Sequence, residues 1–267
     1  MTRGSATAKI NLALVVGPRR DDGYHELVTV LQRIDLADRI EVEPAPEPSV
    51  TGFAGETLVR RALDMLRAET GTCWRARIEK HIPVAAGLGG GSSDAATALA
   101  LANESLAEPL ADDRLYELAA RLGSDVPFFL TSGPQLATGT GTDVEPLDLP
   151  QDYWVVLVLP DDARKLSTAS VYEAFDAGDG FGERRTALLA SLAAVRRTVD
   201  LAALPPNDLA KSPLADDLRA DGAFRADVSG AGPAVYGLFM HEQDAAAAAR
   251  RLRDRGRVWI TAPAWYG

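Results

Sequence analysis

Residues 83–101 read Pro-Val-Ala-Ala-Gly-Leu-Gly-Gly-Gly-Ser-Ser-Asp-Ala-Ala-Thr-Ala-Leu-Ala-Leu. Between Gly87 and Gly91 only Leu88 is not glycine, two serines follow, and an alanine-rich helix is expected from about residue 92. Glycine lets a backbone take positive φ and come close to a bulky anion. A helix opening at that point leaves its first amides unpaired and presents a partial positive charge. Pro83, Val84, Ala85, Ala86, Gly87, Leu88, Gly89, Gly90, Gly91, Ser92 and Ser93 are therefore candidates to cradle a triphosphate. The serine hydroxyls could cap the helix, touch phosphate or help hold a metal. A flexible turn before a helix is the plainer reading of the same letters. Two better-known loops are excluded. No lysine occurs between Lys80 and Lys165, so the Gly-Lys-Ser/Thr of a Walker A loop is missing, and Ser92 stands where a GxGxxG fingerprint starting at Gly87 needs glycine.

Outward from this loop, Trp74, Ala76 and Ile78 alternate with Arg75, Arg77 and Glu79, a half-exposed strand over residues 73–82. Residues 56–69 carry apolar side chains at helical spacing. Strands are expected at 7–16, through Val28, Val30 and Ile34, and at 38–43, where Pro44, Pro46 and Pro48 end the run. Arg19 to Gly23 is polar turn chemistry. After the loop come helices at about 92–106 and 112–122, then a segment with the turn Gly139-Thr140-Gly141. The second half opens on the apolar strand 153–159. Helices near 168–176 and 183–199 and one after Pro205-Pro206 follow, then a strand pair around Gly230-Ala231-Gly232, a helix at 242–253 and a strand at 257–261. Strands and helices mix without strict βαβ alternation and no internal repeat is visible, so the fold class is α+β in two subdomains, 1–148 and 149–267.

The 267 residues carry a formal net charge of −10, with 46% hydrophobic and 25% charged side chains. That balance is globular, and it lacks the basic face that a nucleic-acid binder uses. Arg60-Arg61, Arg184-Arg185 and Arg250-Arg251 lie in helical stretches and read as solvated charge. Cys73 is the single cysteine, and His25, His81 and His241 are far apart, so no zinc-type spacing and no dedicated metal cage exist. No run of about 18 uncharged apolar residues suits a membrane span. A cytoplasmic enzyme without nucleic-acid or membrane partners fits these features, as would many binding proteins.

Pro83 through Ala96 resembles the central motif of the GHMP kinases, which phosphorylate galactose, homoserine, mevalonate and related alcohols. The form Gly-Leu-Gly-Gly-Gly-Ser-Ser-Asp-Ala-Ala is most similar to the branch whose acceptor is 4-diphosphocytidyl-2-C-methyl-D-erythritol. Ala8-Lys9-Ile10-Asn11-Leu12, Asp22-Gly23-Tyr24-His25, Gly123-Ser124-Asp125-Val126-Pro127 and Val228-Ser229-Gly230-Ala231-Gly232-Pro233 resemble the same branch, in the same order. The resemblance implies a two-subdomain kinase fold with its site in the cleft between the halves. It also implies ATP as phosphoryl donor, Mg²⁺ held mainly by phosphate oxygens and water, and transfer to the 2-hydroxyl of that acceptor.

The same resemblance assigns roles to residues whose own letters leave alternatives open. Asp125 reads as an ordinary turn aspartate or as a rigidly held base; the resemblance makes it the catalytic aspartate. A lone lysine in an apolar strand reads as a snorkelling or edge residue, and the resemblance places Lys9 beside that aspartate. Asn11, two residues on and so on the same strand face, could hydrogen-bond the substrate. Tyr24-His25 reads as a turn with a half-buried ring; by resemblance Tyr24 stacks on the cytosine and His25 reads its edge. Tyr172 would be a second ring and Thr168 a polar contact, in a segment running from Leu166. Ser229 to Gly232 fits a hairpin turn as well as a loop closing over phosphate. Asn207-Asp208-Leu209 has no evident role beyond capping the next helix. Two alternatives remain: another GHMP acceptor, or a non-catalytic nucleotide-binding regulator, whose mark would be loss of Lys9 or Asp125.

Overall fold

The computed structural model describes residues 1–53, 57–162, 167–175, 178 and 180–264. Glu56 of the expected first helix and Leu166 lie outside the described residues. The order is β1 (Thr2–Arg19), β2 (His25–Pro44), β3 (Ser49–Thr51), α1 (Leu58–Thr70), β4 (Trp74–Glu79), α2 (Gly90–Glu104), α3 (Asp112–Leu122), β5 (Gln135–Gly139) and β6 (Asp143–Pro146). It continues with β7 (Trp154–Pro160), α4 (Thr168–Ala174), α5 (Phe181–Ala194), α6 (Pro213–Ala220), β8 (Arg225–Val228), β9 (Val235–Phe239), α7 (Glu242–Arg251) and β10 (Gly256–Thr261).

Two sheets result. β1 pairs with β2 along nearly all its length, while β4 pairs with Arg39–Pro44 of β2 and β5 with Leu27–Leu31. β3 and β6 extend this sheet to six strands. The second sheet has the antiparallel order β10-β7-β9-β8. Ala6 to Val16 of β1 are buried without a break, because both of its faces are covered. One face meets the buried side chains of α1, α2 and α3, including Ala95, Ala98 and Leu99. The other shares a core with the second sheet, where Ile10 and Leu12 join Val155, Leu157 and Tyr236. Helices α6 and α7 close the outer face of the second sheet through Leu218, Ala245 and Ala248.

The sequence expectation of separate strands through Ile34 and at 38–43 is corrected to one strand. Asp35 and Leu36 between them form a bulge: the β1–β2 register slips between Thr7 and Ala8, and the Asp35 carboxylate accepts from the Thr261 hydroxyl and the Ala262 amide. The expected helix at 183–199 ends instead at Ala194, and a 3-10 turn spans Thr198–Ala203. The next helix starts at Pro213, capped by Ser212, well past Pro205-Pro206.

Candidate active site

The glycine loop crosses from β4 to α2 and is fastened on both flanks. The Lys9 amide donates to the Leu88 carbonyl (3.0 Å), the Ala234 amide to Ala86 (3.1 Å), and the Ser229 hydroxyl to Gly87 (2.9 Å). Gly87 and Gly89 take positive φ, as does Ala85 at 55°, a conformation that strains a side-chain-bearing residue. Gly89 is the N-cap of α2 and no side chain caps the helix. Helix α2 therefore starts at Gly90, ahead of the expected residue 92, and Ser92 and Ser93 lie inside its first turn. The uncapped amides at the loop are those a phosphate would need.

A cleft of about 640 Å³ opens over this loop, and its lining includes Gly230 and Ala231 of the later turn but neither Ser229 and Gly232 nor Ser93. Lys9, Asn11, Tyr24, His25, Asp125, Thr168 and Tyr172 all face it, with Pro83 to Ser92 forming its floor. Ser93 is buried, and its hydroxyl has no partner among the described residues.

β1 supplies the cation. Lys9 is only 4% exposed, and its ammonium donates to Asn11 Oδ1 at 2.7 Å and stands 3.5 Å from Asp125 Oδ2. Asn11 is held in turn, donating to Thr29 Oγ1 at 2.8 Å, and the Thr29 hydroxyl donates to the Ala13 carbonyl. Asp125 follows α3 in a turn closed by the Val126 amide on the Gly123 carbonyl, and fully buried Val126 and Phe128 anchor that turn. Its carboxylate is 37% exposed, so a charged group reaches the cleft from a rigid base. The Gly230 turn closes over the pair: a Cβ added at Gly230 would sit 3.4 Å from Asn11 Oδ1 and 3.5 Å from Lys9 Nζ.

Tyr24 follows a turn in which its amide donates to Asp22 Oδ1 (3.0 Å), and its ring is 62% exposed at the mouth. His25 is buried beside it, with Nδ1 2.9 Å from the Gly17 carbonyl. A carbonyl only accepts, so Nδ1 bears a hydrogen, and in the tautomer that this contact selects Nε2 is the acceptor. Tyr172 packs on the His25 ring at 5.6 Å, and Phe175 meets it edge-on at 6.3 Å. Burial, then the nearby Asp125 charge, push the Tyr172 hydroxyl above its ordinary range.

The profile for GHMP kinases N terminal domain matches residues 57–133 and that for GHMP kinases C terminal matches 212–258. A 4-diphosphocytidyl-2-C-methyl-D-erythritol kinase of Symbiobacterium thermophilum is 40% identical over 276 residues, covering 95% of this chain and 96% of that one. One from Desulfitobacterium hafniense is 38% identical, covering 96% and 93%. The chain belongs to the GHMP kinases. A crystal structure of 4-(cytidine 5'-diphospho)-2C-methyl-D-erythritol kinase superposes on this GHMP kinase over the full length of both chains, at 35% identity and a TM-score of 0.80. ATP-dependent small-molecule phosphotransfer is thus the activity class of this GHMP kinase.

Several residues of the site were not singled out as such. Lys80 lines the cleft and bridges two buried carboxylates, Asp38 and, at 2.8 Å, Asp94. Asp38 also accepts from the amides of His81 and Ile82, tying the approach to the glycine loop onto β2. Burial pushes the Asp94 carboxyl up to about 7 against the pull of Lys80. Asn207 caps no helix. It is 1% exposed and donates to the carbonyls of Val228 and Gly230, while the Asp208 carboxylate accepts from the Val16 amide and from Arg184. Arg184, expected to be solvated, also donates to the Val16 carbonyl. The Asn207-Asp208 step thus ties the Gly230 turn to β1. Phe175 carried no signal beyond standing three residues after Tyr172.

Proposed function

We propose that this kinase transfers the γ-phosphoryl of ATP to the 2-hydroxyl of 4-diphosphocytidyl-2-C-methyl-D-erythritol, a step of non-mevalonate isoprenoid precursor synthesis. The observation that carries the reading is the Lys9–Asp125 pair at 3.5 Å, placed between the glycine loop and the His25–Tyr172 ring pair. Asp125 takes the hydroxyl proton as the oxygen attacks phosphorus. Lys9, 3.5 Å away, offsets charge on the transferring group. Asn11 fixes the ammonium of Lys9 and presents an amide to the substrate.

The triphosphate lies along residues 83–93, against the amides of the loop and of α2. Phe53, Leu58, Val59 and Ile78 line an apolar stretch of the same cleft that suits a purine ring. At the opposite side Tyr24 and Tyr172 offer ring faces to the cytosine and Thr168 a hydroxyl. His25 Nε2, an acceptor, matches the exocyclic amino group that cytosine has and uracil lacks.

Magnesium fits this site as a companion of ATP. Asp125 and the unpaired Ser93 hydroxyl are hard oxygen donors, and no three His, Cys, Asp or Glu side chains gather among the described residues. Phosphate oxygens and water would supply most of its ligands, and the ion would neutralise charge across the β- and γ-phosphates. The two sheets, drawn from residues 2–146 and 154–261, support a division of the chain into 1–148 and 149–267. A cytoplasmic reaction on two anionic metabolites is consistent with a chain in which no described helix is long and apolar enough to cross a membrane.

ATP consumption across a panel of acceptors tests the reading: 4-diphosphocytidyl-2-C-methyl-D-erythritol, methylerythritol 4-phosphate, homoserine, mevalonate, phosphomevalonate and galactose. Turnover confined to the cytidyl compound is expected. Turnover with homoserine or mevalonate would keep the glycine loop and Asp125 but overturn the base pocket. ATP binding without turnover on any acceptor would make the protein a regulator.

A further inference from the structure

Arg33 sits on β2 directly opposite Lys9 of β1, so the two cations project from the same face of the sheet. It is 2% exposed, and among the described residues no carboxylate lies within 4.0 Å of it. A buried guanidinium without a counter-ion is expensive to keep, and burial lowers its pKa to about 10. What surrounds it instead is the segment that follows Asp125. Arg33 Nη2 donates to the carbonyls of Phe128 (3.1 Å) and Thr131, and Nη1 donates to Thr7 Oγ1 at 3.2 Å. Its Cζ lies 5.3 Å from the ring centroids of both Phe128 and Phe129.

These contacts converge on the reacting groups. The 3-10 turn Pro127–Leu130 begins two residues after Asp125, and Arg33 holds carbonyls within and just past it. Phe129, under the same guanidinium, reaches the glycine loop and the lysine together. A Cβ built at Gly89 would lie 2.9 Å from Phe129 Cζ and 2.9 Å from Lys9 Cγ. One planar cation therefore ties the aspartate turn, the N-cap of α2 and the strand of Lys9 into a single block.

We propose that Arg33 is a positioning residue for phosphoryl transfer, fixing the turn of Asp125 against Lys9 and the glycine loop. The inference rests on Asp125 being the base. A tether of this kind acts on the chemical step, since a shift of about 1 Å in a catalytic group can lower turnover ~100-fold. Substrate binding, carried by other residues, changes little. Arg33→Met removes the donors and the charge while keeping most of the volume. Arg33→Lys keeps the charge and can still donate to both carbonyls.

The experiment is steady-state kinetics on Arg33→Met, Arg33→Lys, Asp125→Asn and the double variant Arg33→Met/Asp125→Asn, below the melting temperature of each. The Met variant is expected to lose roughly 30- to 300-fold in kcat, with both KM values within about threefold of wild type. The Lys variant should recover at least about tenfold of that loss. With Asp125 already replaced, adding Arg33→Met should lower kcat by less than about threefold, because the group being positioned is gone. A Met variant with near-normal kcat, or a loss that multiplies in full with Asp125→Asn, overturns the proposal. If Arg33→Met does not fold, Phe129→Leu with Arg33 intact takes its place and must show the same kcat-selective loss. Near-normal turnover of Asp125→Asn itself would sink the base assignment instead. A kcat-selective loss on Arg33→Met would then still tie Arg33 to the chemical step.

Discussion

The base role proposed for Asp125 rests on a contrast: a carboxylate open to the cleft, beside an ammonium that is almost wholly enclosed. Asp125→Asn keeps the shape and removes the proton acceptor, so kcat should fall by about 10²–10⁴-fold while ATP affinity stays within a few-fold, read by steady-state kinetics and equilibrium nucleotide binding. Near-normal turnover would take the base role from it. Asp94 has the opposite environment. Its carboxyl is raised by burial to about 7, whereas an unfolded aspartate titrates near 3.9. Between those values the folded chain holds a proton that the unfolded chain has lost. The group's contribution to stability is therefore full below about pH 4 and gone above about pH 7. Asp94→Asn cannot ionise, so its Tm relative to wild type should climb by roughly 3–8 °C from pH 5 to pH 8. A difference that stays flat over that range removes the raised titration. Residues such as these were legible to unequal degrees. Lys9 and Asp125 stand in short motifs, whereas Arg33 looks like any polar strand residue because its carbonyl partners lie 95 and 98 residues further on. The partners of Asp38 are 42 to 44 residues away.

At the scale of the element, the glycine loop answers to steric rules that can be checked one position at a time. A Cβ at Gly87 would lie 2.2 Å from the Ser229 carbonyl oxygen, and its φ is 80°. Gly87→Ala must push the two loops apart and should lower Tm by about 5 °C and raise the KM for ATP at least ~10-fold. At Gly91, already helical, the nearest atom to an added Cβ is Leu58 Cδ1 at 3.9 Å, and Ala there should raise Tm slightly. Equal effects at both positions would mean that loop contact is not what requires Gly87. The elements themselves were mostly readable, since alternation over Trp74–Glu79 and the glycine run are local signals. The join of β2 across Asp35 was hidden, because the bulge is explained only by Thr261 and Ala262. So was the work of Asn207, whose acceptors are 21 and 23 residues later.

Across the whole molecule, the two sheets do not own separate interiors. Ile10 and Leu12 of the first pack in one cluster with Leu157, Tyr236 and Leu238 of the second. Calorimetry should therefore show a single unfolding transition, and two resolved transitions would mean that the shared core is not a cooperative unit. Strand β1 makes the point most sharply. The carbonyl of Asn11 accepts from the hydroxyl of Tyr236, 225 residues later. A ribosome adds roughly 5–20 residues per second, so this strand waits roughly 10–45 s for that partner. Lys9 is made more than 200 residues before the Gly230 turn that closes over it, so a nascent chain has no finished cleft until that turn has followed. Until then β1 has its partner β2 and its helices, but the face that Ile10 and Leu12 turn toward the second sheet has no cover, and it is on that one face that a growing chain stays sticky.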